Sequence, residues 1–165
     1  NKGRIIATDT ALWRLKRTKD RLKRAGAFNV ELREISGSHD KWLKRQVDRF
    51  DHVLVDAPCS GSGTWRRNPD QKWNITLEDI KELAALQKSL LEAAAPLVKP
   101  GGFLVYATCS LLCEENEDVV AAFLEGHPSF SLVPCGLEKA PFLSLSPFQN
   151  NTDGFFSAKF EKTRQ

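Results

Sequence analysis

The spacing of apolar and polar positions changes period several times along this chain, and each change marks an element. "RIIATD", residues 4–9, is a short β-branched run that ends on an acid and predicts a buried strand. Over residues 11–25, apolar positions 12, 15, 22 and 25 keep helical spacing among Lys and Arg, and Gly26 predicts the stop. Residues 28–35 set Val30, Leu32 and Ile35 against Glu31, Arg33 and Glu34, an alternation that predicts a second strand. "SGSHDK" reads as a loop, and residues 40–50 as a short, partly helical segment.

A third strand, residues 52–55, runs into "DAPC". Thr76 and Asp79 make a capping-box-like start to a long helix with Ile80, Leu83, Leu86, Leu90, Leu91 and Ala94 on one face. "KPGG", residues 99–102, predicts its end. Residues 103–107 form a continuous apolar strand, and residues 114–125 a helix with the acidic first turn that the helix dipole prefers. Residues 130–133 and 155–160 predict two more strands, with a Pro- and Ser-rich connection over 134–147 between them. Strands alternating with helices predict an α/β domain with a mainly parallel sheet, and the last two strands, lacking a helix between them, an antiparallel pair. No repeat or linker divides residues 1–165, which predicts a single domain.

Composition adds exclusions. At 165 residues, 41% hydrophobic and 27% charged, the chain has the make-up of a globular protein with one sizeable core. No apolar run approaches the roughly 20 residues of a membrane-spanning helix, and "NKGRI" lacks the pattern of a signal peptide. Four cysteines without a secretion signal read as reduced thiols, and the cytoplasm is the expected compartment. With no Cys-x-x-Cys pair and three scattered histidines, no zinc site is expected. The net charge of +3 is unevenly spread: "RLKRTKDRLKR", residues 14–24, holds seven basic residues and one acidic one. Such a run is a solvated helix face or a contact for an acidic partner such as RNA. There is no methionine, even at position 1, which suggests processing or a longer product.

The chemistry concentrates where strands end. In open parallel sheets, ligands bind beyond the carboxyl ends of the strands. Asp9, the loop from Asp56 to Cys59, and Thr108-Cys109 all fall there. Asp9 suits a ribose hydroxyl acceptor or a cap for the following helix. In "DAPCSGSGT", residues 56–64, Pro58 stiffens the backbone and Gly61 and Gly63 allow a tight loop beside a ligand. Ser60, Ser62 and Thr64 are candidate caps for the next segment. A carboxylate three residues before a thiol suits a ring that must be held, protonated and attacked. Carbon 5 of a pyrimidine becomes nucleophilic once a thiolate adds to carbon 6, and an acid such as Asp56 supports that addition at ring nitrogen 3. "YATCS" places a second thiol, Cys109, at the end of the next strand. Two small buried thiols in a core are the plainer explanation of the pair. Trp65 and Trp73, flanking Arg66, Arg67 and Lys72, could stack bases and hold phosphates or pin a loop.

"DAPCSGSGT" together with "YATCS" resembles the NOL1/NOP2/Sun (Fmu-like) family of RNA 5-methylcytosine methyltransferases, and "RRNPD", "KPGG", "EENE" and "DGFF" follow in that family's order. The resemblance implies a Rossmann-like class I methyltransferase sheet, S-adenosylmethionine as cofactor and RNA as substrate. It also implies Cys109 as nucleophile, Cys59 as the thiol that helps release the product, Asp56 at the cofactor and target base, and Asp9 at the cofactor ribose. DNA cytosine methyltransferases take their nucleophile from a Pro-Cys motif, which would instead select Cys59. Two family features are missing: the glycine-rich loop after the first strand, and the acid after the third strand, where Ser36, Gly37 and Ser38 stand with Asp40 nearby. The first strand and helix of the family sheet are thus expected to be absent from this sequence. A non-catalytic RNA-binding or assembly module on such a scaffold is the alternative.

Overall fold

The computed structural model describes residues 1–164, which divide into two compact units, residues 1–45 and residues 46–164. In the first unit β1 (Ile5–Asp9) pairs in parallel with β2 (Val30–Glu34), in a register that runs from Ile5↔Val30 to Asp9↔Glu34. Parallel strands need a crossover, and α1 (Leu12–Arg24) supplies it. Gly26, at φ +63°, takes the left-handed turn that ends the helix, and Arg21, Lys23 and Arg24 sit in its last turn, where the dipole favours cations. The helix α2 (Lys41–Lys44) is one turn long, capped by Asp40, which accepts from Trp42 N at 2.7 Å. Against expectation, β1 has no buried residue and Ile5 is 52% exposed. Among the described residues β1 has one hydrogen-bonded neighbour, so its β-branched run is covered on too few sides to be core.

The second unit is a five-stranded mixed sheet with helices. Its elements are β3 (Phe50–Asp56), α3 (Gln71–Asn74), α4 (Leu77–Ala94), β4 (Val98–Thr108), α5 (Glu117–Gly126), β5 (Phe130–Val133), β6 (Phe142–Leu145), α6 (Pro147–Asn150) and β7 (Phe155–Lys162). The strand order is β3-β4-β7-β5, with β6 also on β7. β3 and β4 are parallel, and β7 runs antiparallel to β4, β5 and β6. The antiparallel part is therefore larger than a strand pair. β5 and β6 share one edge of β7, the first against Lys159–Lys162 and the second against Phe155–Ala158.

Central position explains burial. β4 lies between β3 and β7 and contributes Val98, Leu104, Tyr106 and Ala107 to the core, where they join Leu91 of α4, Val119, Val120 and Phe123 of α5, and Phe156 and Phe160 of β7. Each large apolar side chain so buried contributes about 1.5–3 kcal/mol. On β3, Val53 and Val55 pack toward this core while Leu54 points outward at 66% exposure. The capping box forms as expected: Asp79 N donates to Thr76 Oγ1 at 3.2 Å, and Thr76 N donates back to Asp79 Oδ2 at 2.7 Å.

Three local expectations change. "KPGG" lies inside β4 rather than ending the helix, which stops at Ala94 and continues as a 3-10 turn over Ala95–Leu97. Gly101, at φ +77°, lets β4 bend there without breaking. The helix expected from residue 114 begins at Glu117, because Asn116, at φ −116° and ψ −94°, interrupts the chain after a 3-10 turn over Cys113–Glu115. The Pro- and Ser-rich connection contains β6, whose apolar positions are held by pairing with β7 rather than by any strong period of its own.

Candidate active site at the ends of two parallel strands

The register of β3 and β4 places Asp56 opposite Ala107, so the loops that follow leave the sheet side by side. Cys59 lies three residues past Asp56, and Cys109 follows the last residue of β4, Thr108. Their Sγ atoms are 3.4 Å apart, and both side chains are half-buried. Asp56 is exposed at the rim and makes no side-chain hydrogen bond or ion pair among the described residues.

A buried polar network holds the two loops together. Glu115 is completely buried and accepts from Ser60 N at 2.8 Å, from Gln87 Nε2 at 3.0 Å, and from the hydroxyls of Ser60 and Ser110. Gln87 Nε2 also donates to Pro58 O at 2.9 Å. Asn116 Oδ1 accepts from Thr108 Oγ1 at 2.6 Å, and its Nδ2 donates to Ser110 O at 3.0 Å. Ser62 Oγ accepts from Leu111 N at 2.8 Å, and Gly63 N donates to Cys109 O at 2.9 Å. Buried polar groups of this kind are costly unless paired, so the network specifies one loop arrangement.

Ser60 and Ser62 thus join the loops, Ser60 Oγ also accepting from Ser62 N at 3.3 Å, while Thr64 Oγ1 donates back to Gly61 O at 2.9 Å. Gly61 takes φ +66°. Gly63 lies against Gly154 of "DGFF", and a Cβ on Gly63 would fall 2.5 Å from Gly154 O. Sequence reasoning missed Glu115, Gln87 and Asn116 as parts of the site. Glu115 falls in the acidic first turn expected of a helix; the signal for its other role is its place in "EENE", six residues after Cys109.

Burial pushes the Cys59 thiol up to about 12, and the neighbouring Cys109 adds to that shift. Cys59 therefore carries its proton at neutral pH. Held protonated, Cys59 presents an S–H group 3.4 Å from Cys109 Sγ.

The remaining candidates separate. In the first unit, Asp9 Oδ1 accepts from Ala11 N at 2.8 Å, whereas its Oδ2 lies 3.7 Å from Arg14 Nη1, an ion pair longer than a hydrogen bond. Asp9 therefore braces the start of α1 with one oxygen and pairs with Arg14 through the other. Both oxygens of Asp40 are engaged: they accept from Ser36 N at 2.8 Å, Ser36 Oγ at 3.0 Å and Trp42 N at 2.7 Å. Arg66 and Arg67 both pair with Asp153, which ties "RRNPD" to "DGFF". Trp65 is part-buried, with its indole N–H enclosed and without a partner among the described residues. Trp73 is 79% exposed, with Lys72 Nζ 5.2 Å from its ring centre. Among the described residues no three His, Cys, Asp or Glu side chains are grouped to hold a metal, and no helix is long and apolar enough to cross a membrane.

A mixed sheet with loops carrying acids and thiols at its strand ends belongs to the Rossmann-like methyltransferases. A family model described as 16S rRNA methyltransferase RsmB/F matches residues 1–161, and the chain belongs to that family. It is 42% identical over 162 residues to ribosomal RNA small subunit methyltransferase B of Pectobacterium atrosepticum, covering 98% of this chain and 37% of that relative. NSun6 from Pyrococcus horikoshii, solved with SFG, matches at TM-score 0.81 and 30% identity over 99% of this chain and 42% of its own. A methyltransferase homologue from Pyrococcus horikoshii matches at TM-score 0.80 and 37% identity over 97% of this chain and 53% of its own. The chain therefore spans little more than a third of the curated relative's length.

Proposed function

We propose that this chain carries the thiol centre of an enzyme that methylates carbon 5 of a cytosine in ribosomal RNA, with S-adenosylmethionine as donor. The observation that carries the reading is the pair of Sγ atoms 3.4 Å apart, one of them in a loop that opens with the exposed carboxylate of Asp56. The relatives' names support ribosomal RNA as the substrate class. The SFG in the NSun6 structure, an analogue of S-adenosylmethionine, supports the donor. On this reading the two units are parts of one partial methyltransferase domain.

Asp9 would hold hydroxyl groups of the cofactor ribose through the carboxylate that also pairs with Arg14. When bound, S-adenosylmethionine supplies an electrophilic methyl group on sulfonium. The rest falls to this chain's residues. Cys109 Sγ, as thiolate, bonds to carbon 6 of the cytosine, and the ring electrons shift so that carbon 5 becomes nucleophilic. Asp56, when its carboxyl carries a proton, donates that O–H to nitrogen 3 and so stabilises the electron-rich ring. After methylation, carbon 5 loses its proton to solvent base, the electron pair re-forms the ring double bond, and the Cys109 Sγ–carbon 6 bond breaks. Cys59, holding its proton 3.4 Å away, donates S–H to the departing thiolate.

Incubating the full-length protein with ribosomal RNA and methyl-tritiated cofactor, followed by nucleoside analysis, tests the reading. Label on 5-methylcytidine is expected. Label confined to adenine or to protein would refute it, and RNA binding without transfer would favour the scaffold alternative.

A further inference from the structure

The network behind the thiols is more selective than a generic polar core. Cys59 and Cys109 are each followed by a serine, and Glu115 holds both serines, Ser60 by its amide and hydroxyl and Ser110 by its hydroxyl. Cys59 is gripped on either side: Gln87 holds Pro58 O, and Glu115, itself bonded to Gln87, holds Ser60 N. Cys109 is likewise gripped on either side, since Asn116 holds Thr108 Oγ1 and Ser110 O. The backbone at 115–116 is anchored in turn, because the Tyr106 hydroxyl, itself in the core, donates to Glu115 O. Asn116 opens α5 without capping it, so its amide is spent on the thiol loop and not on the helix.

We propose that Glu115 is a positioning residue that sets the spacing of the Cys59 and Cys109 sulfurs, with Gln87 completing its grip on the Cys59 side. The proposal deepens the methyl-transfer reading and rests on it for its catalytic meaning, while the spacing itself is measurable without catalysis. Removing the carboxylate frees Ser60 and Ser110 from a common anchor, and the loops then hold the thiols at a wider range of separations.

The test is the rate at which the two thiols close to a disulfide under diamide, whose azo bond takes up the two hydrogens that the thiols lose. It is performed on the full-length protein and read by peptide mass after alkylation of the remaining thiols. Glu115→Ala should slow Cys59–Cys109 closure by about tenfold or more, since small misplacements of reacting groups cost that much in rate. Glu115→Gln keeps the size, and the serine hydroxyls can turn to accept from its amide, so closure should recover to within about threefold of the parent rate. A purely structural role would lower the unfolding temperature of Glu115→Ala and leave closure of the folded protein unchanged; that result overturns the proposal. Should Glu115→Ala not fold, the double variant Ser60→Ala with Ser110→Ala carries the same test: slower closure supports the proposal, and parent-like closure overturns it. Slower closure in a protein that methylates no cytosine would leave the positioning role standing and remove the methyl-transfer reading.

Discussion

The two thiol loops are worded alike, "APCS" and "ATCS", yet the protein holds them by different means. The Cys109 loop is held largely by its own neighbourhood. Ser110 N donates to Thr108 Oγ1 at 3.2 Å, Leu112 N donates to Ser110 Oγ at 3.1 Å, and Asn116, eight residues from Thr108, closes the turn. The Cys59 loop depends on distant chain: Gln87 from α4, Glu115 from beyond β4, and Gly154 from the approach to β7. One loop is local and extends a central strand; the other is assembled by tertiary contacts around two glycines. A nucleophile benefits from the first kind of support, because it must be in place before substrate arrives. A thiol that acts only on the adduct can be supported by the second.

The largest effect should come from removing the sulfurs one at a time in the full-length protein. Cys109→Ala should abolish turnover and any covalent RNA adduct, whereas Cys59→Ala should attack, transfer methyl and stall with RNA attached. A denaturing gel with RNA and cofactor reads this as a slow-migrating, nuclease-sensitive band for Cys59→Ala alone. The band appearing with Cys109→Ala would exchange the roles of the loops, and parent-like turnover in both variants would make the thiols ordinary core residues.

Next in size is Gly63→Ala. Its Cβ would meet Gly154 O at 2.5 Å, backbone against backbone, with no flexible side chain to yield. Overpacking of this kind costs about 1–3 kcal/mol, which a urea midpoint detects. The damage should fall on the Cys59 side, raising its alkylation rate more than that of Cys109. Equal changes at both thiols would show that Gly63 supports the two loops alike.

A pH series sharpens the same contrast. With its thiol pushed up to about 12, Cys59 should react with iodoacetamide at a rate that climbs about tenfold per pH unit from 8 to 11. For stability, the unfolded chain ionises this thiol near its ordinary 9.0, while the folded protein keeps it protonated to about 12. Its contribution is therefore complete below the unfolded value and is lost as pH rises through the folded one. A Cys59 alkylation rate already level at pH 9 would contradict the burial.

The smallest effect is expected from Thr76→Ala, which removes the capping box of α4 at a cost of about 1 kcal/mol. Although α4 also carries Gln87, the cap lies three turns away, so denaturation should shift slightly and Cys59–Cys109 closure under oxidant should not. A change in closure would mean that the Cys59 loop responds to the whole helix.

Much of this was legible without coordinates. Helical spacing and Gly26 marked α1, Thr76 and Asp79 marked the start of α4, and the apolar run at residues 103–107 marked β4, because each depends on residues within a turn or two of one another. The strand-end positions of Asp9, Asp56 and Cys109 were legible for the same reason. Other features were decided by partners far along the chain. β6 exists because β7 offers it an edge, and "KPGG" bends within β4 because its neighbours keep it in the sheet. Arg66 and Arg67, basic in sequence, are taken up by Asp153. Glu115, an ordinary acid by composition, becomes the hub between two thiols only when α4, the Cys59 loop and the Cys109 loop converge on it. Local spacing reports what a segment's own backbone prefers, whereas burial and hydrogen-bond partnership depend on segments dozens of residues apart, whose meeting no local pattern records.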